Sequence, residues 1–271
     1  MSVIQQIKQP FGLSMETVEH TSIFLNWSFW AVIVAALALL LSQLPPIKIL
    51  VRPIRLRVEP YDRLGVSHWL GNPNVNLHLV LTNTGGRKVS ILSINLILQL
   101  EDGSSFSLPA QSFSAPGAPQ GGSFLFTRFA LKPDESWSNF VSCFANFDTA
   151  DERQSKELVK NLRRDINQKL AIRQQTAPEN KELMEAHERL VQPIRGFYEG
   201  HNKWRAGEYT VQLHIKCEPG RASTVRRFRF TLFESDVQDL AESVSKYKYG
   251  AGVYYVDQEA TLVNPRIRDI A

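Results

Sequence analysis

Residues 74–86 read NVNLHLVLTNTGG, and the fold is decided there. Val75, Leu77, Leu79 and Leu81 alternate with Asn76, His78 and Thr82, the period of two expected of a half-buried strand. Asn83, Thr84, Gly85 and Gly86 then supply turn chemistry. Val89 and Ile91 open a second strand, continued by Ile94, Leu96, Leu98 and Leu100. The phase slips at Leu92 and Ser93, as an extra residue in a β-bulge would make it do. An isolated hairpin is marginal in water, so these two strands predict a larger antiparallel sheet around them.

The flanking sequence supplies it. Ile54, Leu56 and Val58 alternate with Arg55 and Arg57 before the hairpin. Beyond the Glu101-Asp102-Gly103 turn, residues 109–122 are rich in Pro, Gly and Ser and read as a surface loop. Apolar runs follow at residues 124–131 and 137–144. The period then becomes helical: Leu158, Leu162, Ile166 and Leu170 form one stripe, and Leu183, His187, Leu190, Ile194 and Phe197 another. Thr149 with Glu152, and Thr176 with Glu179, have capping-box spacing. A helical hairpin over about 149–199 is therefore expected as an insertion, with Pro193 kinking or ending its second helix. Strand pattern returns with Tyr209, Val211, Leu213, Ile215 and Cys217, and after Glu218-Pro219-Gly220 with Phe228, Phe230 and Leu232. Ser235 and Gln238 suggest a cap for a short helix, and residues 253–256 one more strand.

At the other end no charged residue lies between His20 and Lys48, and residues 23–44 are almost wholly apolar. Such a run is about 33 Å long as a helix, enough for a hydrocarbon core of about 30 Å. A single transmembrane anchor over 21–47 is expected, with a short tail at 1–20 and the globular domain at 48–271. One basic residue (Lys8) precedes the run, and Lys48, Arg52, Arg55 and Arg57 follow it. That bias places the N-terminus outside and the main domain in the cytoplasm.

The run Ala206-Gly207-Glu208-Tyr209-Thr210-Val211 resembles the entry to a late strand of immunoglobulin-like sandwiches, where a corner tyrosine bonds back to the backbone. The resemblance implies an antiparallel sandwich and a binding or scaffolding module, though no cysteine lies two residues after Tyr209 and the helical hairpin is foreign to that pattern. The expected fold class is thus mainly β, an immunoglobulin-like sandwich with an inserted helical hairpin behind one transmembrane helix.

No chemistry-bearing motif stands out. The six histidines share no metal-ligand spacing, and no P-loop, nucleophile elbow or dinucleotide fingerprint occurs. Cys143 and Cys217, one each on two strands, read as small buried hydrophobes. A net charge of +4, from 31 Lys+Arg and 27 Asp+Glu, is too small to argue for nucleic acid. No catalytic residue, metal or cofactor is expected. The candidate surfaces are basic: Arg163 and Arg164 on the hairpin, and Arg227 and Arg229 on a late strand, suited to a protein partner or an anion. The functional expectation is a membrane-anchored interaction or scaffold protein, touching lipid through its anchor and binding a protein partner or its own copies. The alternative is a membrane effector whose β domain senses a small anionic ligand and clusters the anchors.

Overall fold

The computed structural model describes residues 27–43, 52–117, 122–177, 179, 182–250 and 262–270. The chain divides into two compact units, Met1–Ile47 and Lys48–Ala271. In the first unit one helix, α1 (Trp27–Gln43), is described, 17 residues long. At 1.5 Å per residue it spans about 26 Å, short of a hydrocarbon core of about 30 Å. Its last described turn carries Ser42 and Gln43, and the Ser42 hydroxyl donates to the Leu39 carbonyl at 2.7 Å. Among the described residues no helix is long and apolar enough to cross a membrane. The expected single-pass anchor, and the placement of the N-terminus outside and the main domain in the cytoplasm, are corrected on that finding. Of the apolar run 23–44 that carried the expectation, residues 23–26 and 44 lie outside the described residues.

The second unit is mainly antiparallel β. Its strands are β1 (Leu56–Trp69), β2 (Asn72–Asn83), β3 (Val89–Leu100), β4 (Ser105–Ser114), the short β5 (Phe124–Leu125) and β6 (Phe129–Leu131), and β7 (Ser136–Phe144). Helices α2 (Thr149–Thr176) and α3 (Glu188–His201) follow, then β8 (Gly207–Glu218), β9 (Thr224–Leu232), α4 (Glu234–Ser245) and β10 (Arg268–Asp269). The main path of the sheet runs β1-β2-β7-β4-β3-β8-β9-β10, with β5 paired to β4 and β6 to β3.

This is a nearly closed, barrel-shaped sheet and not the two-sheet sandwich expected from the sequence. Two features join what a sandwich would keep apart. The first half of β4 pairs with β3 from Ser105 to Pro109, and its second half pairs with β7 from Ala110 to Ser114. The register shifts between Ala110 and Ser112, where the strand turns from one partner to the other. On the opposite side residues 263–269 lie between β1 and β9. Val66 and Val263 exchange backbone bonds at 2.7 and 3.0 Å, the Ile267 amide donates to the Asp62 carbonyl, and Arg268 pairs with Arg229. Strand alternation in the sequence reports which residues face inward, and that pattern is the same for a sandwich and a barrel.

The local readings explain much of the core. Along β2 buried and half-buried residues alternate without a break, with Val75, Leu77, Leu79 and Leu81 inside. The bulge in β3 falls between Ile91 and Ser93. Asn83, fully buried, donates to the Arg87 and Leu131 carbonyls and accepts from the Gly85 amide, fixing the β2–β3 turn. A Cβ on Gly85 would sit 2.7 Å from the Arg55 nitrogen and the Pro53 oxygen, so only glycine lets the chain pass there.

A second, smaller core lies under the helices. Leu70 joins Leu162, Ile166, Val191, Ile194, Phe197, Tyr198, Val244 and Tyr247. The helical insertion begins one residue earlier than its capping signal suggested, because Asp148 is the N-cap and its carboxylate accepts from the Asp151 amide at 2.8 Å. Thr176 ends α2 instead of starting the next helix, and α3 begins only at Glu188 and runs on through Pro193. α4 likewise starts at Glu234, one residue before the expected cap at Ser235. The strand expected at residues 253–256 lies outside the described residues.

Candidate functional site

A concavity of about 720 Å³ opens where the β1–β2 turn, the end of β7 and the first turns of α2 meet. This volume is within the range of small-molecule sites. Its walls follow from strand alternation. Asn72 and Asn74 occupy the outward face of β2, and Phe144 lies directly opposite Asn74 on β7. Asn72 is committed, since its amide nitrogen donates to the Ala145 carbonyl at 2.7 Å. Asn74 is not. Its Oδ1 is buried and has no hydrogen-bond partner. A buried acceptor left unmade costs about 1–3 kcal/mol, so such an atom needs an explanation.

Aromatic rings form one wall. Trp69, half-exposed at the end of β1, lies 5.8 Å from Phe147, which packs edge-on against Phe197 of the helical core. From α2 come Ser155, Glu152 and Lys156. Ser155 is 1% exposed and donates to the Glu152 carbonyl at 3.0 Å. Glu152 and Lys156 pair with each other, so the two charges at the rim cancel.

Nearby titratable groups are structural. His201 pairs with Asp151 at 3.0 Å and ties α3 to α2. Burial works against its charge, but the Asp151 carboxylate and the Phe197 carbonyl outweigh burial and raise its pKa. Ser243 Oγ lies 3.1 Å from His68 Nε2, the spacing of a serine–base pair. The ring cannot act as that base. His68 Nδ1 accepts from the Gly71 amide, so Nε2 carries the proton and donates to the Leu240 carbonyl at 2.9 Å. Burial lowers the His68 pKa, against a smaller opposing effect of that carbonyl. Cys143 and Cys217 are free thiols, pushed up by burial to about 12 and about 11, far from thiolate reactivity at neutral pH.

The four arginines expected to mark a surface separate into two regions. Arg163 and Arg164 are exposed on α2. Arg227 and Arg229 are exposed on β9, alternating with the buried Phe228 and Phe230 as the sequence suggested. Arg229 lines a second pocket of about 290 Å³ with Arg63, Arg266 and Arg268, and it is bonded to Glu208 at 3.2 Å. Arg227 does not line this pocket.

No family model matches the chain, and no curated protein matches it. Among solved structures it is similar to a putative ApaA protein from Bordetella pertussis, at 12% identity over 68% of this chain and 98% of that one, with a TM-score of 0.29. A protein from Archaeoglobus fulgidus matches at 9% identity over 65% of this chain and 95% of that one, with a TM-score of 0.28. At these scores neither likeness bears on function.

Sequence reasoning missed the large cavity entirely. Its one visible signal was a pair of asparagines, Asn72 and Asn74, on one face of a strand whose other face is apolar from Pro73 to Leu81. Nothing in the spacing foretold that α2, more than 70 residues later, would roof them.

Proposed function

We propose that the Lys48–Ala271 unit is a binding module and not an enzyme, and that its ligand is a small neutral molecule held in the cavity under α2. The observation that carries this reading is the buried, unpartnered Oδ1 of Asn74. A small rotation of the Asn74 side chain would bring that oxygen to the cavity, where a ligand N–H or O–H would remove its desolvation cost. Trp69 and Phe147 offer apolar faces to a flat or ring-shaped body, and the mutual pairing of Glu152 and Lys156 favours a ligand without net charge. The neutral, proton-bearing Nε2 of His68 and the buried thiols offer no activated nucleophile.

Ligand-observed NMR against neutral sugars and nucleosides tests this, using the full chain and its Asn74→Leu and Trp69→Ala variants. A compound that binds the parent should lose at least tenfold in affinity in each variant. Without ligand, Asn74→Leu should leave stability unchanged or raise it, because it removes an unmet acceptor. Binding that survives Asn74→Leu, or no binding by either class, overturns the reading.

A second reading rests on α2. Lys160, Arg163 and Arg164 are exposed there, and none makes an ion pair among the described residues. A basic helical face of this kind suits an acidic protein partner better than a second copy of itself, since like faces repel. Poly-glutamate binding that falls with salt and vanishes in an Arg163→Glu/Arg164→Glu variant would support it. Binding that is unaffected by the variant would remove it.

A further inference from the structure

The strand segment that closes the barrel carries two arginines, and each faces another arginine. Arg266 bridges directly to Arg63 on β1, and Arg268 pairs directly with Arg229 on β9. Like charges directly opposite one another across strands are destabilising. Residues 266 and 268 are two apart and so point to the same side of the segment, and all four arginines line one pocket of about 290 Å³.

The acids nearby do not neutralise the group. Glu208 pairs with Arg229. Asp236 also lines the pocket, but its carboxylate accepts from the Phe233 amide at 2.8 Å, at the start of α4. Arg63 donates to the Asn264 carbonyl at 3.0 Å, a neutral partner. Arg266 and Arg268 make no ion pair among the described residues. Four cations against two engaged carboxylates leave a local excess of positive charge directly across the seam.

We infer that this pocket binds a small molecule through a diphosphate group, and that the bound anion pins the closing segment between β1 and β9. Guanidinium groups match phosphate oxygens in paired hydrogen bonds. Two arginines spaced about 6.8 Å apart along an extended strand suit two linked phosphates better than one. Without the anion, repulsion across both arginine pairs weakens the seam. The anion converts the same four charges into a clamp. This site is separate from the cavity under α2, so either can fail alone.

Hydrogen exchange on the full chain tests the inference, with inorganic pyrophosphate as probe and ionic strength held constant with sodium chloride. Pyrophosphate should slow exchange in peptides covering residues 262–270 and 60–67 at least fivefold, with orthophosphate and citrate giving less. The Arg266→Gln/Arg268→Gln variant should show slower exchange there than the parent without anion, and no response to pyrophosphate. An Arg163→Gln/Arg164→Gln variant should respond like the parent. Should the double Gln variant fail to fold, Arg268→Glu, which places a carboxylate opposite Arg229, should protect the same peptides without added anion. Equal protection by citrate would reassign the site to carboxylates, against the inference. Protection by chloride alone, or a pyrophosphate response retained in the double Gln variant, would overturn it.

Discussion

The Tyr209 hydroxyl serves both backbone groups of one residue: it donates to the Arg205 carbonyl at 3.0 Å and accepts from the Arg205 amide at 2.9 Å. The ring itself is fully buried, stacked on Phe230 at 5.0 Å and edge-on to Trp204 at 5.8 Å. Trp204 in turn donates from Nε1 to the Ser67 carbonyl at 2.8 Å. This small network fastens the exit of the helical insertion to β1 and β8. Removing the hydroxyl leaves an amide and a carbonyl to find other partners. Tyr209→Phe should lower unfolding free energy by about 1–2 kcal/mol, read as a shift in urea midpoint with unchanged slope.

Gly71 and Gly103 form a natural pair for comparison. Both have left-handed backbone, with φ of +88° and +85°. At Gly103 an added Cβ meets nothing within 4 Å, whereas at Gly71 it would lie 2.5 Å from the Tyr198 carbonyl oxygen. Gly103→Ala should therefore show backbone strain alone, about 1 kcal/mol. Gly71→Ala should add a clash with the C-terminal turn of α3 and cost about 3 kcal/mol or more. Equal midpoints for the two variants in chemical denaturation would contradict this packing.

Two histidines should pull the pH dependence of stability in opposite directions. The pKa of His201 is raised in the folded state, so its contribution is complete below the unfolded value of about 6.5 and is lost as pH rises through the folded pKa. The pKa of His68 is lowered, so its contribution is present above about 6.5 and is lost as pH falls toward the folded pKa. Subtracting the stability profile of a His201→Asn variant from that of the parent should give a difference that shrinks on the alkaline side. The same subtraction for His68→Asn should give one that shrinks on the acid side. Denaturant titrations from pH 5 to pH 8.5 would show both signs.

Thiol chemistry offers a simple check of burial. Cys143 and Cys217 sit on inward faces of β7 and β8, and burial pushes their pKa values to about 12 and about 11. Neither should react with a disulfide reagent in the native protein at neutral pH, and both should react once urea unfolds it. Fast modification of either without denaturant would place that strand wrongly.

How much of this was legible in the sequence depends on the range of the interaction. The β2 alternation, the bulge before Ser93 and the inward face of β9 are local, set by a period of two, and the sequence shows them directly. Barrel or sandwich is decided elsewhere, by where β4 changes partner near Ala110 and by what lies in the seam between β1 and β9. Neither leaves a periodic mark. The helix caps were displaced because Asp148 competes with Thr149 for the same role, and both are good caps. Asn74 reads as an ordinary outward residue until α2 covers it. Arg229 was singled out for its strand's charge, but the partners that give it meaning, Arg63, Arg266 and Arg268, lie far away in sequence.

The closing segment also bears on the timing of folding. Arg63 and Asn264, which bond across the seam, stand 201 residues apart in the chain. While the protein is being synthesised, β1 emerges well before its partner in the seam. Until then β1 and β9 each expose a hydrogen-bonding edge, the kind of surface on which nascent chains stick to one another. β9 carries Arg226, Arg227 and Arg229 and no acid, so two unfinished copies repel where their β9 edges would otherwise pair.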